Sequence, residues 1–182
     1  MAPPPRIIAR GKIRAMSDSA KSTSDSALRD QLVELLRGEH AHVGFAAAVR
    51  DLPAGLRGAR PEGVEHSAWE LVEHLRLAQR DILDFSRDPG HQSPPWPQGY
   101  WPQGPEPPGA GAWDAAVAAF HADLEAMAEL VGDPRSDLFK PFAHGKGQNL
   151  LREAMLTADH NAYHVGQIVA LRRLLGDWPP GS

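Results

Sequence analysis

His160 and His164 stand four residues apart in a stretch, Gly147 to Gly176, that reads as one long helix. At about 100° per residue, that spacing turns the two imidazoles about 40° from each other and separates them by roughly one turn, about 6 Å. Two rings so placed can grip one metal ion. The same line along the helix gives Glu153, Thr157, His160, His164, Gln167 and Leu171, flanked by Leu156 and Leu174 on one side and Leu150 and Ile168 on the other. A polar seam bordered in this way faces inward, where each unsatisfied polar group costs about 1 to 3 kcal/mol. A shared ligand would account for it.

Zinc-type enzyme sites take three protein ligands and keep a position open for water, whereas structural zinc sites are usually closed by four, most often with cysteine. The chain has no cysteine, so disulfides, thiolate sites and nucleophilic thiols are excluded and any metal is held by nitrogen and oxygen. His74, at the edge of an apolar stripe, and His121, beside another, compete for the third place. Such a site suits zinc or nickel, and admits iron, copper or manganese. It could lower the pKa of bound water, polarise a carbonyl or hold a thiolate for transfer. The zinc-protease motif of this spacing has Glu directly after the first His. Asn161 stands there instead, which disfavours that protease type.

Glu39 and His42 fall within the stripe of the first helix. They are expected, with Gln167, near the open side of the metal, where they would orient water or a substrate, Glu39 serving as general base. The bland alternative is a lightly buried pair near a kink at Gly38 or Gly44.

The elements that must position these groups are all helical. The first helix is expected from Ala27 to about Arg50, with Leu28, Leu32, Leu35, Val43 and Ala46 inward. Ser67-Ala68-Trp69-Glu70 is a capping box that opens the second, which continues to about Ser86 with Leu71, Leu75, Ala78, Ile82 and Phe85 inward. The third runs from about Trp113 to Val131, with Val117, Phe120, Leu124 and Met127 inward. For the last, Asn149 fits the N-cap, Gly176 the left-handed position past the end, and Arg172 and Arg173 the final turn, where the dipole favours cations. With neither strand alternation nor an internal repeat, this predicts an all-α, antiparallel four-helix bundle, a scaffold that builds metal sites from facing helices. His144 lies in the Gly- and Pro-rich loop before the last helix.

Between Arg87 and Ala112 the chain carries eight prolines together with Trp96, Tyr100 and Trp101. Solvated linkers rarely hold three large rings, so a docked flap anchored by these aromatics is expected. Residues 1–26 have little that could pack and read as a disordered N-terminal extension, leaving 27–182 as the bundle domain. Met16 offers a second start, which would make the first fifteen residues an upstream extension.

A formal charge of -4 and a pI near 6.1 supply no large basic field for nucleic acid or anionic membrane. No apolar run suffices for a signal-peptide core or a membrane span. The expectation is a cytoplasmic protein with a small-molecule partner, and a homodimer is allowed.

Trp69-Glu70-Leu71-Val72-Glu73-His74-Leu75 together with Asp159-His160-Asn161-Ala162-Tyr163-His164-Val165-Gly166-Gln167 closely resembles the DinB-like, or YfiT-like, metalloenzyme family. The resemblance spans about Leu28 to Trp178. It implies a four-helix bundle that binds a divalent metal through one His of the second helix and a His pair of the last, here His74, His160 and His164. It also implies chemistry of the kind found among relatives: thiol S-transfer with bacillithiol, mycothiol-dependent maleylpyruvate isomerisation, or metal-dependent hydrolysis. The leading expectation is thus a metal-dependent transferase or hydrolase acting on a small molecule, low-molecular-weight thiols among the candidates. The alternatives are a non-catalytic metal-binding bundle in stress response or metal handling, and a structural bundle with packed histidines.

Overall fold

The computed structural model describes residues 9–38 and 41–180, and the side chains of 23–38 and 41–180. The described residues form five α-helices and no strand: α1 (Ala9–Arg37), α2 (Phe45–Val49), α3 (Ala68–Arg87), α4 (Ala112–Gly132) and α5 (Leu150–Leu174). None of these helices is long and apolar enough to cross a membrane.

The two helices that carry the histidines of interest start and stop where local chemistry dictates. At α3, the Ser67 hydroxyl accepts from the Glu70 amide (3.2 Å) while the Glu70 carboxylate accepts from the Ser67 amide (2.8 Å), which satisfies two exposed donors reciprocally. At α5, Asn149 Oδ1 accepts from the Arg152 amide at 2.9 Å. Gly176, at φ +73°, ends it in a Schellman motif, with the Asp177 amide donating to the Arg172 carbonyl (2.9 Å) and the Gly176 amide to that of Arg173 (3.2 Å).

The expected first helix, by contrast, is two helices. Gly38, at φ +74°, stops α1, and among the described residues helix resumes at Phe45. The left-handed conformation, which only glycine adopts without strain, accounts for the break. The helical backbone of α1 begins at Ala9 instead of Ala27, although residues 1–8 of the expected disordered extension lie outside the described residues. Leu36 is buried where Leu35 was expected inward; Leu35 is 54% exposed.

Helix directions explain the long connection. α1 and α4 run antiparallel, since Arg29 donates to the Val131 carbonyl while Arg37 pairs with Glu125. α3 and α5 are also antiparallel: Leu71 shares a recess with Leu171, and Phe85 a groove with Gln148. α3 and α4, however, are parallel, because Gln79 donates to the Phe120 carbonyl and Arg87 to that of Ala126. The chain leaving α3 must therefore travel back the helix length, about 30 Å for its 20 residues. Residues 88–111 make that return alongside α3: His91 bonds Asp81, Tyr100 bonds both Asp81 and His74, and the Pro105 carbonyl accepts from Ser67. Gly99 packs against Pro94 with no room for a Cβ.

Four long helices enclose one core that includes Phe120, Met127, Leu75, Ile168 and Leu171. Each such side chain contributes about 1.5 to 3 kcal/mol of burial free energy. Arg172, expected in the final turn where the dipole favours cations, is wholly buried. Its guanidinium donates to the Ala48 and Arg50 carbonyls at 2.9 and 2.8 Å and pairs with Asp177 at 2.6 Å. It thus satisfies carbonyls at the end of α2 and fastens that helix to α5.

Candidate metal centre

α3 and α5 bring three imidazoles to one point. His74, His160 and His164 each offer a ring nitrogen within 4.8 Å of the others, and Nε2 of His74 lies 3.1 Å from Nε2 of His160. Two nitrogens bound to one ion at about 2.0 to 2.1 Å, at angles near 90 to 110°, stand about 3 to 3.4 Å apart, so the observed spacing fits a common metal. The rings of His74 and His160 each lie 4.6 Å, centroid to centroid, from that of His164.

Two outer nitrogens are held by oxygen acceptors. His74 Nδ1 donates to the Tyr100 carbonyl at 2.9 Å, and His164 Nδ1 to Gln167 Oε1 at 2.6 Å. Each bond places the proton on Nδ1 and leaves Nε2 with a lone pair toward the shared point. His160 Nδ1 is buried without a hydrogen-bond partner among the described residues. Burial holds all three imidazoles below the usual histidine pKa, His160 down to about 4, where the charges of His164 and His74 add to the effect. The cluster is therefore neutral at pH 7, the state that a cation requires. These three histidines can hold a metal ion.

The match to a known family covers residues 27–168, to the model described as the DinB superfamily. The chain belongs to the DinB superfamily. No curated protein and no solved structure matches it.

Around the three histidines, this family member builds its wall from the returning loop. Trp101 lies face to face with His74 (4.0 Å, 4°), and His66 stacks on Trp101 in turn (4.0 Å, 20°). Tyr100, beside it, is buried, its hydroxyl donating to Asp81 at 2.7 Å. Burial and that carboxylate push the phenol up to about 12. Asp81 also accepts from His91 at 2.6 Å. Tyr163 meets His164 edge-on at 4.9 Å. Of the three expected anchors, Tyr100 and Trp101 pack against the bundle, but Trp96 is 73% exposed. Its ring reaches Tyr100 only from outside, at 5.4 Å.

The other expected site residues, where the structure describes them, are dispersed. Glu39 lies outside the described residues. His42 is exposed, donates to the Val43 carbonyl and lines a groove with Ala162, Val165 and Val169, on a face of α5 turned away from His164. The break at Gly38 is the reason, since His42 no longer continues the inward stripe of α1. Of the two that are described, Gln167 touches the cluster, behind His164. His121 meets Phe45 and Phe120 edge-on, and His144 bonds the Phe85 carbonyl. Along the seam, Thr157 donates to the Glu153 carbonyl, and Glu153 pairs with Arg152. Asn161 donates to Gln79, away from the histidines.

His66 and Asp81 were not anticipated. The available signal for His66 was its place just before the Ser67 cap of the helix that carries His74. Asp81, two turns beyond His74, had none, because its partners arrive through the loop.

Proposed function

We propose that this DinB superfamily protein is a metal-dependent enzyme acting on a small molecule, by thiol S-transfer or hydrolysis. The observation that carries this reading is the set of three converging imidazoles, two of them already held in the metal-ready tautomer by Tyr100 and Gln167.

His74, His160 and His164 would hold zinc or nickel, three nitrogen donors being fewer than a closed structural site uses. The bound ion would supply a Lewis acid, able to activate water or a thiol, or to polarise a carbonyl. The chain's own residues fix the surroundings. Gln167 orients His164, the Tyr100 carbonyl orients His74, and Trp101 covers the face of His74 and keeps water from it. The substrate class includes low-molecular-weight thiols.

The test is metal stoichiometry of the purified protein, followed by a screen of low-molecular-weight thiols with electrophiles beside esters and amides. One ion per chain with turnover of either class supports the reading. One ion without turnover favours a non-catalytic metal-binding bundle, and no ion under metal-replete conditions overturns both.

A further inference from the structure

A recess of about 260 Å³ adjoins the histidine cluster. Its apolar wall comprises Val64, Leu71, Leu171 and Leu174, and its polar wall comprises His66, Gln167 and, at the solvent-exposed rim, Glu65. Leu71 stands one turn before His74 on α3, while Leu171 and Leu174 continue α5 two to three turns beyond His164. The recess therefore follows the α3–α5 seam directly away from the three imidazoles.

Two polar groups define its inner end. Gln167 spends its Oε1 on His164, which leaves its amide hydrogens as the donor it can offer a ligand. His66 is held in place by its stack on Trp101, whose opposite face lies on His74. One wall thus reaches the cluster through Gln167 and the other through the His66–Trp101–His74 stack. The volume lies just below the roughly 300 to 1,000 Å³ of drug-sized ligand sites, so a small occupant is indicated.

We infer that this recess receives a short, uncharged apolar arm of a substrate whose polar head reaches the metal position, with Gln167 donating to an acceptor atom where head and arm join. The inference rests on the metal reading above and specifies its substrate class. Leucine and valine walls gain from an alkyl or aryl group, whereas an anionic arm would meet Glu65 at the rim and a polyhydroxylated arm would lose its water along the leucines with few partners in exchange.

Linear alkyl hydroxamates, from acetohydroxamate to octanohydroxamate, provide the probe, since each has the same metal-binding head and a longer arm. Their affinities for the zinc-loaded full chain are measured by calorimetry. Affinity should rise about fourfold per methylene, or about 0.8 kcal/mol, until the recess is filled. Ala170, an exposed residue of the lining, gives a variant that blocks the space. In Ala170→Trp the ratio of hexano- to acetohydroxamate affinity should fall toward one. Leu174→Asp, at a position 65% exposed, should lower that ratio as well and serves if the first variant does not fold. A zinc-loaded protein on which the series is flat or fails to bind overturns the recess and leaves the metal reading standing, as does a chain-length trend unchanged in the folded variants. Failure to take up either zinc or nickel overturns both.

Discussion

The carbonyl oxygen of Tyr100 accepts a 2.9 Å hydrogen bond from Nδ1 of His74. A residue of the proline-rich return loop therefore sets the tautomer of a histidine on α3. The same residue is secured at its other end, where its hydroxyl donates to Asp81 at 2.7 Å. Tyr100→Phe keeps the carbonyl and removes the second attachment. The expected cost is about 1 to 3 kcal/mol in urea unfolding, because the largely buried Asp81 loses a donor, and metal affinity should fall modestly as the loop loosens. Unchanged stability and unchanged affinity together would show that the loop is positioned by other contacts.

Gln167 tests the opposite side of the cluster. Replacing any of His74, His160 or His164 by Ala should remove most of the metal affinity. Gln167→Leu keeps all three rings and deprives His164 Nδ1 of its acceptor. Loss of such an outer partner typically costs about 10 to 100-fold in affinity. A competitive chelator titration measures it, and a value equal to the parent protein would mean that His164 needs no orienting partner.

How far the sequence revealed all this depended on the range of the signal. Ser67 with Glu70, Asn149 and Gly176 act on backbone groups within a few residues, so the bounds of α3 and α5, and with them the register of the three histidines, were legible. Gly38 was visible as a kink candidate, yet whether a glycine adopts φ above zero is decided by packing. Glu39 and His42 were placed on the assumption of a continuous helix, and His42 turned away when that helix broke. Arg172 was read by its nearness to the helix end, whereas its partners, Ala48 and Arg50, come from more than a hundred residues upstream. His66 and Asp81 gained their roles only from the path of residues 88–111, which follows from α3 and α4 being parallel. Periodicity within single helices cannot report that direction.

Acid should weaken the metal-free protein in a defined window. The buried imidazoles protonate less readily than in the unfolded chain, His160 only at about 4 against an ordinary 6.5. As pH falls from 6.5 toward 4, the unfolded state takes up protons first, so stability declines across that range. Above 6.5 both states are neutral at these rings and the contribution is constant. Thermal unfolding of the chelator-treated protein between pH 7 and 5 should therefore show a falling midpoint, with a shallower slope in His160→Gln. Equal slopes in the two proteins would assign the pH dependence to other groups. With metal bound the loss should be steeper, because protonation also releases the ion.

The return loop supplies a contrast between two tryptophans that composition alone would treat alike. Trp101 is half-buried between His66 and His74, while Trp96 is 73% exposed. Trp101→Ala removes a stacked ring from both imidazoles, opens the face of His74 to water and loosens the segment that carries Tyr100. It should cost about 2 to 4 kcal/mol, toward the lower part of the range for aromatic truncation because burial is partial. It should also speed proteolysis between Pro94 and Gly109 and weaken metal binding. Trp96→Ala should change stability by no more than about 0.5 kcal/mol, as surface substitutions usually do. Parallel urea unfolding, limited proteolysis and metal titration of the two variants decide the matter. If cleavage within the loop is already rapid in the parent protein, the packed wall over His74 does not persist in solution. If the two variants behave alike, the stack on His74 does not hold the loop, and the contacts of Tyr100 and Pro105 must suffice.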